Sequence, residues 1–159
     1  MRRKSPAVNS SGKRVRGRVA IIRAEYNGEI TNRLEQKCLE GLHEGGLTAA
    51  QVDCFRVPGC LEIPVTAQRL AALKRYDAMI ALGAVIRGDT YHFDLVANQC
   101  ARGVMDVSLR FNVPIIFEVL ATYTRRDALR RAGNNRANKG YEAARAAIET
   151  LRALAQIKS

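Results

Sequence analysis

Short β-branched runs alternate along this chain with segments whose apolar residues recur every three or four positions, the pattern of strands followed by amphipathic helices. Arg18 to Arg23 (RVAIIR) reads as a first strand. Ile30, Leu34, Cys38 and Leu42 fall at i+4 spacing and predict a helix, stopped by Gly45 and Gly46. Val52 to Val57 is a second strand, halted by Pro58 and Gly59, and a helix from about Pro64 to Lys74 takes its proline in the first turn. Met79 to Ile86 is a third strand. Val96, Cys100, Val104, Val107 and Phe111 mark a third helical face, and Pro114 to Leu120 (PIIFEVL) a fourth strand. Thr124, with Asp127 three residues on, predicts a capped helix that Gly133 ends. Ala144, Ala147, Ile148, Leu151 and Leu154 form the stripe of a last helix.

Strands that alternate with helices imply a four-stranded parallel sheet with right-handed crossovers and helices on both faces. The expected class is therefore α/β, three-layered and flavodoxin-like. Ligands of such sheets bind outside the carboxyl ends of the strands. Four chemically unusual segments fall there: Glu25 to Gly28, Pro58 to Glu62, Arg87 to His92, and the region after Phe117. Four strands also leave two open edges, and self-association is the simplest way to cover them.

Composition narrows the class further. At 159 residues and 47% hydrophobic, the chain is the size of one ordinary domain. It shows no apolar run of transmembrane length and no secretory signal, so a cytoplasmic protein without membrane contact is expected. Cys38, Cys54, Cys60 and Cys100 form no C-x-x-C pair and have no histidine at zinc-finger spacing. Reduced thiols and no metal site follow. The net charge of +11 is uneven, because Arg2, Arg3, Lys4, Lys13, Arg14, Arg16 and Arg18 face no acid. Residues 1–17 are read as a basic, flexible arm and 18–159 as the folded domain. A basic arm is most often a solvated tail; the sharper alternative is weak contact with a polyanion or a neighbouring subunit.

The segment Ala81 to Asp94 carries the most chemistry. A buried strand, a turn at Arg87-Gly88-Asp89-Thr90 and a new helix near His92 point free backbone N–H groups and a helix dipole at an anion. The spacing Gly83 to Gly88 approaches a nucleotide-binding P-loop, but the lysine is missing and Asp89 stands where phosphate charge must be met. A triphosphatase is rejected. An isolated histidine can be satisfied by a backbone carbonyl, but at the carboxyl end of a strand beside a phosphate-type turn His92 reads as a proton carrier. His43 lies near the end of the first helix and complements its dipole. Tyr26 is either a partly buried surface aromatic or a platform for a planar ring. Glu62 is either a first-turn charge or an acceptor for substrate hydroxyls. Arg131 and Lys139 flank glycine-containing turns, where a guanidinium suits a phosphate and an ammonium suits a carbonyl oxygen.

These residues together resemble the 6,7-dimethyl-8-ribityllumazine synthase family of riboflavin biosynthesis. The resemblance runs from about Arg18 to Leu154. It rests on Tyr26-Asn27, on Val57 to Pro64, on Ala81 to Asp94, and on Arg131-Ala132-Gly133 followed by Asn138-Lys139-Gly140 and Glu142-Ala143-Ala144. The resemblance implies condensation of 5-amino-6-ribitylaminouracil with 3,4-dihydroxy-2-butanone 4-phosphate, with no metal or organic cofactor. Carried over, Tyr26 and Asn27 meet the pyrimidine, and Cys60, Leu61 and Glu62 line the ribityl chain. Val85 and Ile86 lie at the ring edge, Gly88, Asp89, Thr90 and Arg131 hold the phosphate, and His92 transfers protons. Phe117, Arg131 and Lys139 are implied to come from an adjacent subunit, making a pentamer, or a multiple of it up to an icosahedral shell, the active form. Leu61, Glu118 and Asn135 depart from the family's usual pattern, which has an aromatic, a glycine and a lysine there. A related riboflavin-forming condensation, or a non-catalytic shell that binds polyanions, are the alternatives.

Overall fold

The computed structural model describes residues 15–157. The elements are β1 (Val19–Ala24), α1 (Gly28–Glu44), β2 (Val52–Val57), α2 (Ile63–Ala72), β3 (Ala78–Ile86), α3 (His92–Phe111), β4 (Ile115–Thr122), α4 (Arg125–Arg131) and α5 (Lys139–Leu154). Single 3-10 turns precede β2 and α2. The strands pair in parallel in the order β2-β1-β3-β4, the expected flavodoxin-like arrangement. β2 and β4 are the edges.

Alternation along the strands divides the core between two faces. Ile21, Ile80, Leu82 and Leu120 pack with α1, α4 and α5, while Ile22, Met79, Ala81 and Val119 pack with α2 and α3. The two inner strands are the enclosed ones: β1 is buried throughout and β3 along nearly its whole length, as its unbroken apolar run requires. Thr124 caps α4 as expected, its hydroxyl accepting from Asp127 N–H at 3.1 Å. The start of α5 was not legible from its stripe. Asn138, fully buried, caps it by accepting from Gly140 N–H at 2.7 Å.

Two features depart from the sequence pattern. Arg23 sits buried on β1 and donates to Glu35 at 2.9 Å and to the Thr31 hydroxyl at 3.1 Å, an ion pair inside an apolar layer. The folded body also begins before residue 18. Val15 is buried in the core, and Gln51 Nε2 donates to the carbonyls of Val15 and Gly17 at 3.2 and 2.9 Å. Residues 15–17, grouped with the arm by charge, therefore pack on the body; the remainder of the arm lies outside the described residues.

Candidate active site

Three chain segments converge where β1 and β3 end, and backbone geometry explains how. Beyond β1 the main chain continues to bond to the end of β2 and the residue after it: Glu25 N–H donates to Val57 carbonyl at 2.8 Å and Tyr26 N–H to Pro58 carbonyl at 3.0 Å. Asn27 then adopts a left-handed conformation, φ 59°, which Asn tolerates better than most residues. That bend starts α1 and lets Asn27 Nδ2 donate to Ala84 carbonyl on β3 at 2.8 Å. The Tyr26 ring is left 75% exposed, free to act as a platform.

The turn after β2 drops onto β3 because Gly83 has no side chain. A Cβ there would meet Cys60 Sγ at 2.7 Å. Cys60 is buried, and desolvation pushes its thiol up to about 11, with a hydrogen bond from the Ala84 backbone opposing. Burial likewise raises Cys100 to about 12. Burial thus favours the protonated thiol at both positions, and Cys60 forms part of the cleft wall. Glu62 accepts from Gly59 N–H at 2.9 Å through one carboxylate oxygen. Both readings of Glu62 thus have a physical basis, since the bond to the turn also fixes the carboxylate at the rim.

The third segment links β3 to α3. Arg87 N–H donates to Thr122 carbonyl at 2.9 Å, extending the β3–β4 ladder by one bond, and its guanidinium lies over the Tyr123 ring at 5.4 Å. Phe93 packs against the same ring, with centroids 6.2 Å apart. These contacts brace the turn from outside. Thr90 Oγ1 lies 3.4 Å from His92 N–H at the start of α3, whose N-cap, Tyr91, makes no side-chain capping bond. Asp94 N–H already donates to the Tyr91 carbonyl at 3.1 Å, so in the first turn of this 20-residue helix it is the N–H groups of Phe93 and, beyond its long contact with Thr90, His92 that can meet an anion.

The three segments enclose a cleft of about 540 Å³, within the range of small-molecule sites. Tyr26, Asn27, Cys60, Leu61, Glu62, Val85, Ile86, Gly88, Thr90 and His92 all line it. Asp89 lies exposed between two of its lining residues without lining it itself. Pro58, Gly59, Ala84, Phe93 and Val96 also line it and were absent from the sequence-derived set. Val96 was legible as one helical turn beyond His92, and Phe93 as the residue beside it.

Phe117, Arg131 and Lys139 do not line this cleft. The register explains Phe117: it pairs with Ala81, whereas Thr122 pairs with Ile86 at the cleft. Phe117 is thus five residues back along the edge strand, about 16 Å from that rim. Arg131 ends α4, with its guanidinium on Asp127 carbonyl at 3.1 Å, and Lys139 opens α5, paired with Glu142. All three lie on the β4 side of the molecule, and Phe117 is 39% exposed.

No helix among the described residues is long and apolar enough to cross a membrane. A family model for 6,7-dimethyl-8-ribityllumazine synthase matches residues 16–155. The match takes in every segment of the cleft and the β4–α5 region as well. The chain belongs to the 6,7-dimethyl-8-ribityllumazine synthase family.

Proposed function

We propose that the cleft condenses 5-amino-6-ribitylaminouracil with 3,4-dihydroxy-2-butanone 4-phosphate to give 6,7-dimethyl-8-ribityllumazine, phosphate and water. Family membership makes the chain a transferase-type enzyme of riboflavin biosynthesis. The observation that carries the finer reading is the convergence of an exposed aromatic ring, a rim carboxylate and a histidine at a helix N-terminus on one cleft.

In this reading Tyr26 stacks on the pyrimidine, Asn27 shapes the entry, and Val85 and Ile86 close the ring edge. Cys60 and Leu61 flank the ribityl chain while Glu62 accepts from its hydroxyls. Leu61 offers apolar contact where an aromatic is usual, giving a wider channel. Gly88, Asp89 and Thr90 bring the first-turn N–H groups of α3 to the phosphate. The amine attacks the ketone and a water leaves to form an imine, phosphate is then eliminated, and ring closure expels a second water. His92 moves protons at these steps, and holding both substrates in one cleft removes much of the entropic barrier.

Phe117, Arg131 and Lys139 complete the site when supplied by an adjacent protomer. Phe117 covers the ring, Arg131 grips the phosphate and Lys139 faces a pyrimidine carbonyl. The family resemblance implies a homopentamer, alone or in a larger assembly, and a closed ring of this kind gives each cleft one such neighbour. The test is to incubate the assembled protein with both substrates and follow lumazine absorbance together with free phosphate. Equimolar release is expected. Phosphate release without lumazine, or no turnover by correctly assembled protein, sinks this reading.

A further inference from the structure

Phe117 and Glu118 are successive residues of β4, so their side chains leave opposite faces of the sheet. Glu118 pairs across the ladder with Leu82 and, like Ile116 and Leu120, looks toward the layer of α1, α4 and α5. That layer is mainly apolar around it, its other buried charges being the Arg23–Glu35 ion pair, with Arg23 in register with Leu82 on the side away from Glu118. β3 presents Ile80, Leu82 and Ala84, and α4 presents Ala128. From α1 comes the Cys38 thiol, whose ionisation Glu118 disfavours. The charged groups that act on Glu118 belong to the first turn of α5, Lys139 and Glu142. Those two already form an ion pair at 2.5 Å. The ammonium is thus paired with a carboxylate on its own helix and acts electrostatically on a second one on the strand.

We propose that Glu118 is a positioning residue for Lys139: its charge decides whether the ammonium is drawn toward the sheet or left with Glu142 at the outer side of α5. The consequence for turnover rests on the reading above, in which Lys139 meets the pyrimidine. Burial raises the Glu118 carboxyl to about 7, with Lys139 opposing and Glu142 reinforcing the rise. The change of state falls at neutral pH. Below it Glu118 is neutral and Lys139 reaches outward; above it the ionised strand carboxylate competes for the ammonium.

The test compares wild type, Glu118→Gln, Lys139→Met and the double variant from pH 6 to 8. Wild-type KM for the ribitylaminouracil is expected to rise about threefold to fivefold over this range, with kcat little changed. In Glu118→Gln the KM should stay low and flat, and in the Lys139→Met background Glu118→Gln should alter nothing. Superimposable KM profiles for wild type and Glu118→Gln would overturn the proposal. Thermal midpoints of the same four proteins supply a readout independent of substrate. A carboxyl raised by folding loses stability as pH climbs from its unfolded value through about 7, so the wild-type midpoint should fall more steeply than that of Glu118→Gln. At pH 8 the loss caused by Lys139→Met should be larger when Glu118 is present. If the protein turns over neither substrate, the functional reading fails while these midpoints still decide the coupling. Additive midpoints would reject it.

Discussion

The cleft at the ends of β1 and β3 and the β4–α5 side carry comparable chemistry but hold it in different ways. In the cleft, side chains stand on main chain that is itself locked. Tyr26 N–H bonds to Pro58, Asn27 reaches Ala84, and Glu62 ties down the Gly59 turn. On the other side, Arg131 and Lys139 are long side chains at helix ends, each anchored within its own helix, by Asp127 carbonyl and by Glu142. Short tethers to strand ends give a preorganised half-site. In the reading proposed above, exposed side chains at helix ends give an adaptable one, completed by an adjacent protomer's surface. Substitutions in the second region should therefore alter affinity, and in the first the chemical step itself should depend on His92 while its neighbours set how the substrate is held.

The largest effect should come from breaking the joint that supports the adaptable half. A Cβ on Gly140 would lie 2.0 Å from the Leu34 carbonyl oxygen, a backbone atom that cannot rotate away. Gly140→Ala should push α5 off α1 and cost about 3 kcal/mol or more. A denaturant titration checks this, and an unchanged midpoint would show that the close approach of the two helices is dispensable. Next in size is the preorganised half. His92→Ala should lower kcat about a hundredfold, the lower end for a positioned acid/base, because water can replace part of its proton transfer. KM for the uracil should stay within about twofold, since holding the substrates does not depend on this side chain. Unchanged kcat in correctly assembled protein would remove His92 from the chemistry.

Arg131→Ala probes the adaptable half directly. Loss of a charge-assisted bond to phosphate is worth about 1.5–3 kcal/mol, so KM for the phosphate substrate should rise roughly ten- to a hundredfold. KM for the uracil should hardly move. Equal rises for both substrates, with the assembly intact, would assign Arg131 a structural role at the end of α4.

The same division separates what the sequence made legible from what it hid. Strands and helices were readable because each keeps one period, and the cleft residues were readable because they cluster in short segments at strand ends. Asn138 was hidden because it caps α5 through a buried side chain that no apolar stripe marks. The Arg23–Glu35 pair was hidden for a related reason: a charged residue in a strand reads as a solvent-facing or terminal position, yet here its partner arrives from α1. Val15 was masked by its basic neighbours, because charge counted over a window says nothing about one apolar side chain. The family resemblance assigned Phe117, Arg131 and Lys139 to an adjacent subunit's site, and strand register and helix ends give the physical reason they lie away from this chain's own cleft.

The smallest predicted effect asks how firmly the preorganised half is locked. Asn27 combines two roles, a left-handed backbone at φ 59° and a side-chain bond to Ala84 carbonyl at 2.8 Å. Glycine keeps the first at no steric cost and loses the second, whereas alanine loses both. Asn27→Gly should thus cost about 1 kcal/mol, the net value of one hydrogen bond, and Asn27→Ala about 2 kcal/mol. If the bond to β3 also aims the neighbouring Tyr26 ring, the two variants should raise KM for the uracil alike despite unequal stabilities. Stability measured by denaturant and KM measured on the same preparations separate the cases. A KM that follows stability, with alanine much worse than glycine, would place the control of Tyr26 in the backbone bend rather than in the tether to Ala84.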